Sequence, residues 1–416
     1  MREMKDSGIE WVGQIPVSWD VLRNKYNFVL GKDLIGVNWE KTQLLSLTKY
    51  GVKAITPEEQ TGKVPTSFST YQIVKKDDMI MCLFDLDVSA VFAGISPYYG
   101  MISPAYKCFK CKSNLNPKYA DYYYRTVFVD RKYKRYSKNV RYSLGTEDFF
   151  ALPMLIPSID EQRRIADFLD AKCAEIEALT ADIEKQIETL EAYKHSVITE
   201  AVTRGLNLDV EVQESRIFYV PPYNSSWRLS RIGYECTKLL RSFNPDDTAL
   251  ICSNKGKVLV RPDDMMGRMV SEDNAMQGIH KGDIAIHGMD TWHGAIACSD
   301  FDGKITRVVH VCDSHQEKRF IVYYLRCLAY QGVYKLISNG IRGNTSDFRS
   351  WDKVKEIYIP LPDISEQKDI CDFLDRTCSE IESMISEKNN LLEVLAEYKN
   401  SLIYEYVTGK KEVEAT

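Results

Sequence analysis

The sequence contains no apolar run near the ~18 residues a membrane-spanning helix needs, and its charged start, Met1-Arg2-Glu3-Met4-Lys5-Asp6, lacks the apolar stretch of a secretory signal. A membrane partner is therefore not expected, and the expected location is cytoplasmic. Histidines number six, and the 11 cysteines are scattered apart from Cys108-Phe-Lys-Cys111. A single CxxC without a second pair or a histidine at ligand spacing gives no basis for zinc or redox chemistry, so reduced thiols are expected.

Catalytic motifs are also scarce. Val220-Pro221-Pro222-Tyr223 has the Pro-Pro-Tyr of amino-methyltransferases. Valine, however, stands where an Asp, Asn or Ser would accept a hydrogen bond from the target amine, and no glycine-rich loop follows a strand-like run. Pro362-Asp363-x-x-Glu366-x-Lys368 has the look of a compressed metal-dependent nuclease motif, but its first copy offers Ser158, Glu161 and Arg163 instead. A helix start explains it better. His280, His287 and His293 are too isolated to be read as metal ligands, so neither a catalytic residue nor a metal site is assigned.

A long internal repeat is present instead. Pro157-Ser-Ile-Asp-Glu161-Gln162-Arg-Arg-Ile165-Ala-Asp167-Phe168-Leu169-Asp170 returns as Pro362-Asp-Ile-Ser-Glu366-Gln367-Lys-Asp-Ile370-Cys-Asp372-Phe373-Leu374-Asp375, and an offset of 205 residues holds without a gap to Val202-Thr203 and Val407-Thr408. Each half opens on Trp-x-[Val/Leu]-x-Arg, at Trp19 and at Trp227. Two units of ~200 residues imply a duplicated, pseudo-two-fold molecule. The net charge of −5 conceals a partition along the chain. Residues 157–202 hold 11 acidic and 5 basic side chains, residues 362–407 hold 11 and 4, and the remainder carries +8. Local charge decides phosphate binding, so two basic bodies on an acidic scaffold remain compatible with nucleic acid.

The repeated segments read as helices. A Pro and a Ser or Asp precede Glu-Gln in the first turn. Leu169, Ile176, Ile183, Leu190 and Val197 recur every seven residues, flanked by Leu179 and Ile187. The second copy keeps Leu374, Ile381, Leu395 and Leu402, flanked by Met384 and Leu392, but has Lys388 where Ile183 stood. Such a seam over ~44 residues, roughly 66 Å, reads as an antiparallel coiled coil formed by the two copies. Between the helices, short β-branched and aromatic runs (Met79 to Phe84, Ala105 to Cys111, Asp283 to His287, Ile305 to Cys312) read as strands, and Tyr119 to Phe128 and Glu317 to Tyr330 as helices. The fold class is α+β: two mixed α/β domains separated by two long helices. The boundaries fall at 1–156, 157–210, 211–361 and 362–416.

The candidate nucleic-acid surface is Lys118 to Tyr142, where Lys and Arg alternate with seven tyrosines. Cations beside aromatic groups suit phosphates and base edges together, while a Lys/Arg run also reads as a solvated helix face, with Tyr122 to Tyr124 partly facing a core. Lys132, Lys134, Arg135, Lys138 and Arg141 in the first domain, and Lys335, Arg342, Asn344 and Arg349 in the second, are expected near DNA.

In Asp6-Ser7-Gly8-Ile9-Glu10-Trp11-Val12-Gly13-x-Ile15-Pro16-x-x-Trp19, together with both Glu-Gln-x-x-Ile-x-x-Phe-Leu-Asp segments, the chain resembles the specificity subunits of type I restriction-modification systems along its whole length. The resemblance implies two target recognition domains, each reading one half of a split double-stranded DNA site. It also implies helices that set the spacing and dock two modification subunits, with ATP-dependent restriction subunits added for cleavage. The chain itself would bind no cofactor; S-adenosylmethionine, ATP and Mg would belong to the partners, and the chain would not be an enzyme on its own. A coiled-coil adaptor for proteins and a DNA adenine methyltransferase are the alternatives.

Overall fold

The structure, a computed structural model, describes residues 2–48, 51–59, 65–86, 93–129, 131–136, 142–207, 209–262, 275–338 and 348–414. The chain forms two compact units, Met1–Ile183 with Asn390–Thr416, and Glu184–Asn389. Each is a mixed domain together with part of each of two long helices, Ile159–Arg204 and Ile364–Val407.

The same topology occurs in both units. In the first, one sheet runs Phe28–Leu30, Lys107–Cys111, Met79–Met81, Ala93–Ile95, and another runs Gly51–Ile55, Leu44–Thr48, Gly100–Ile102, Gln72–Val74. In the second, the corresponding orders are Cys236–Leu239, Val309–Ser314, Ile284–His287, Ile296–Cys298, and Lys257–Val260, Ala249–Ser253, Gly303–Thr306, Met276–Ile279. In each second sheet one neighbouring pair is parallel and the other two are antiparallel. The run from Ile305 to Cys312 is thus two strands. A turn at Arg307, whose backbone N–H donates to Ala275 O, carries the chain from one sheet to the other. Continuous apolar periodicity cannot signal that change of sheet.

A short ladder closes each mixed domain where its helix begins. Asp20–Arg23 pairs antiparallel with Pro153–Ile156, and Arg228–Arg231 pairs with Tyr358–Leu361. The long helices then start at side-chain caps. The Ser158 hydroxyl accepts from the Glu161 N–H, and the Asp363 carboxylate accepts from the Ser365 and Glu366 N–H groups. They end at Gly205 (φ +88°) and Gly409 (φ +71°), where a Cβ would lie 2.8 Å from Glu366 Oε1 and 2.4 Å from Pro16 Cδ respectively. Only glycine meets both the left-handed backbone and the close approach.

The helices pair antiparallel within each unit. In the first unit Phe168 packs against Tyr406, and Lys399 Nζ donates to Glu177 Oε1 at 2.6 Å. In the second, Lys194 pairs with Glu382, and Lys388 donates to Gln186 at 2.6 Å. Of the heptad positions, Leu169, Ile176, Ile183, Leu374, Ile381 and Leu402 are buried, whereas Leu190, Val197 and Leu395 are half-buried. Leu179 and Met384, expected beside the seam, are about half exposed. Where Lys388 interrupts the second seam, its ammonium reaches the Gln186 amide.

Candidate nucleic-acid interface

Each mixed domain docks on its long helix through the same side chains. Gln162 is fully buried: its Oε1 accepts from the Asn116 N–H at 2.8 Å, at the start of helix Pro117–Val129, and its Nε2 donates to Asn114 O and Pro157 O. Gln367, also fully buried, accepts from the Glu317 N–H at the start of helix Lys318–Tyr330 and donates to Gln316 Oε1 and Pro362 O. About two turns further along, Asp170 accepts from Lys118 Nζ and Tyr122 OH, and Asp375 accepts from Arg319 Nη1 and Tyr323 OH. The sequence placed Glu-Gln in a first helical turn; the structure adds that the glutamine is the docking residue. Its identity in both copies was the available signal.

These contacts redivide the basic tract. Tyr119, Tyr122, Tyr123 and Tyr124 are buried in the core rather than offered to a ligand. Lys118 is committed to Asp170, and Arg125 to the buried Asp121 at 2.7 Å. Burial pushes the Asp121 carboxyl up, while the Arg125 guanidinium opposes that shift. The alternation of cations and aromatics therefore marks the outer and inner faces of one docked helix over its first half.

Beyond that helix, the turn Lys132–Tyr136 carries the remaining candidates of the first unit. Lys132 Nζ lies 4.6 Å from the Trp11 ring centre and 4.9 Å from that of Tyr404. Lys134 lies 4.8 Å from the Tyr142 ring centre, and Arg135 pairs with the exposed Glu10. Asp85, Arg131 and Tyr142 are three of the four non-glycine residues with positive φ among the described residues. Asp85 N–H donates to Ser143 Oγ, and Arg131 Nη1 donates to Leu86 O, so all three belong to one cluster of loops. Strained backbone of this kind gathers at functional sites. Lys138 and Arg141 lie outside the described residues.

In the second unit, Lys335 and Arg349 meet at the loop Gly288–Gly294. Exposed Lys335 lies 5.8 Å from the Trp292 ring centre, and exposed Arg349 donates to Met289 Sδ at 3.0 Å. Gly288 admits the approach, since a Cβ there would lie 2.8 Å from Phe348 O. Burial pushes His287 and His310 toward their neutral forms, and Trp292 keeps a buried Nε1–H without a partner among the described residues. Trp292 and Met289 are thus further candidates, which sequence alone did not separate from packing residues. Arg342 and Asn344 lie outside the described residues. Among the described residues, no group of three or more His, Cys, Asp or Glu side chains is placed to hold a metal ion, and no helix is long and apolar enough to cross a membrane.

Two mixed domains of one topology, docked by duplicated contacts on long antiparallel helices and carrying different basic loop clusters, define a tandem recognition scaffold. Residues 294–394 match the family of the type I restriction modification DNA specificity domain. The chain is 22% identical to a protein described as a putative type I restriction enzyme MjaX specificity subunit from Methanocaldococcus jannaschii, over 97% of this chain and 96% of that protein. Its fold matches a solved structure described as the structural basis underlying complex assembly and conformational transition of the type I R-M system, with a TM-score of 0.69 at 14% identity, covering 95% of this chain and 99% of that one. By these likenesses the chain is similar to type I restriction-modification specificity subunits.

Proposed function

We propose that this chain is the non-catalytic sequence-reading subunit of a type I restriction-modification complex. Each mixed domain reads one half of a bipartite DNA site, and the long helices set the gap and dock two modification subunits. Those subunits would supply S-adenosylmethionine, and restriction subunits would supply ATP- and Mg-dependent cleavage. The observation that carries this reading is duplication with divergence. Gln162/Gln367 and Asp170/Asp375 dock both domains alike, while the loop clusters they present differ. One scaffold with two different reading surfaces suits an asymmetric split site. In the first domain the proposed DNA-facing residues are Lys132, Lys134, Arg135, Lys138 and Arg141; in the second they are Lys335, Arg342, Asn344 and Arg349.

Mapping methylated bases in DNA from the source cell tests the proposal. One asymmetric motif of two specific halves around a fixed unread gap is expected, and it should disappear when this chain is removed. The purified chain should also bind duplex DNA with an affinity that falls steeply with salt. Loss of the chain without loss of any methylated motif would overturn the reading.

A further inference from the structure

Of the apolar side chains from Met79 to Leu86, Phe84 alone is exposed, at 40%, while its neighbours Leu83 and Leu86 are buried. The turn that presents it is fixed by contacts with distant parts of the domain. Leu83 O accepts from the Leu144 N–H at 2.8 Å, the Asp85 N–H donates to Ser143 Oγ at 3.1 Å, and Leu86 O accepts from Arg131 Nη1. Asp85, next to Phe84, sits in the left-handed region (φ +47°), a conformation that favours glycine and that the surrounding bonds must hold in place. The Phe84 ring centre lies 6.2 Å from that of Tyr106, so one side of the ring is backed by the domain.

The offset of 205 puts Met289 at the position of Phe84 and Asp290 at that of Asp85. The backbone anchor is the same, since Gly288 O accepts from the Phe348 N–H as Leu83 O does from the Leu144 N–H. The residue after the anchor differs. Arg349 follows Phe348 and donates to Met289 Sδ, whereas Gly145 follows Leu144 and brings no side chain. One place in the loop cluster thus offers a guanidinium in the second domain and a bare aromatic ring in the first.

We infer that Phe84 is a specificity-determining residue of the first domain, set against the 5-methyl group of a thymine in that domain's half-site. The inference rests on the proposal that the first domain reads DNA. A phenylalanine ring has neither donor nor acceptor, so it cannot read the hydrogen-bonding atoms of a base edge. Thymine alone among the four bases adds an apolar group to its major-groove edge. A ring on a rigidly held turn meets such a group without first having to be ordered.

Binding of the full chain to duplexes carrying its mapped site, with each thymine replaced in turn by deoxyuridine, tests this. The replacement removes the methyl group and leaves the hydrogen-bonding edge intact. At one position in one half-site the intact chain should bind roughly fourfold more weakly, the worth of one buried carbon. Phe84→Ala should bind the thymine duplex at least fourfold more weakly and lose nothing more when deoxyuridine replaces thymine at that position. Phe84→Asn, suited to an exposed turn, serves if Phe84→Ala misfolds. Specific duplex binding that no deoxyuridine weakens, or a folded Phe84 variant that keeps the full fourfold loss at every sensitive position, would overturn the contact and leave the DNA-reading function standing. Absence of any specific duplex binding would remove both.

Discussion

Single polar residues decide how the parts of this molecule join. Gln162 and Gln367 each use both amide atoms in a fully buried position, and losing one would leave a helix-start N–H and a proline carbonyl unpaired. Glu235 plays a comparable part inside the second mixed domain. Although burial opposes its charge, hydrogen bonds from Arg228, Ser230 and Gln316 hold its carboxyl down at about 2. A carboxyl lower in the folded state than in the unfolded chain stabilises the fold above the unfolded value, near 4.5, and loses that contribution as pH falls toward 2. Acidification from pH 5 to pH 3 should therefore cost up to about 2 kcal/mol through this residue. Urea unfolding at both pH values measures it. The Glu235→Gln chain should be less stable at pH 5 and show a smaller drop, whereas parallel losses in both chains would remove the assignment.

Elements were legible in the sequence where a period ran long enough to exceed local noise. The long helices stood out because Leu169, Ile176 and Ile183 repeat at seven residues without an interrupting glycine or proline. Strand pairing was not legible, since Gly303–Thr306 and Val309–Ser314 belong to different sheets despite one apolar run. The tyrosines of Pro117–Val129 were only partly legible for a related reason: Tyr122 to Tyr124 were expected to face a core in part, and they are buried, but a docked helix with a charged outer face reads like a ligand surface until the facing Asp170 is known. Helix register carries its own consequence. Glu177 and Lys194 are 17 residues apart, as are Glu382 and Lys399, so both ion pairs form together. Removing residues 179–182 from the first helix shortens one of these spans by about 6 Å and makes the two pairs incompatible. The single deletion is expected to lower the melting temperature and abolish methylation or alter its gap, while a second deletion of residues 384–387 should restore stability with a shorter gap. A single deletion that melts and methylates like the intact chain would refute the matched register.

At the scale of the whole molecule, the −13 carried by the two repeated segments and the +8 carried by the rest separate the surfaces proposed for partner subunits from those proposed for DNA. The structure sharpens this division, because part of the positive charge is spent internally. Lys118 and Arg319 neutralise Asp170 and Asp375 at the docking contacts, whereas exposed Arg349 lies on a loop cluster in the second domain and Lys134 on one in the first. If each domain reads its own half-site, Arg349→Ala should weaken protection of one half and Lys134→Ala that of the other. A lost base contact would cost about 1–3 kcal/mol, and a lost phosphate contact would lower the salt slope by about one. Lys118→Ala supplies the internal comparison, since its ammonium serves the docking contact and its loss should reduce stability while leaving the salt slope of the folded chain intact. Footprinting of the assembled methyltransferase on its mapped site distinguishes these outcomes. Weakening of the same half by both Arg349→Ala and Lys134→Ala would contradict the division of reading between the two domains, and so would a Lys118→Ala salt slope reduced as much as theirs.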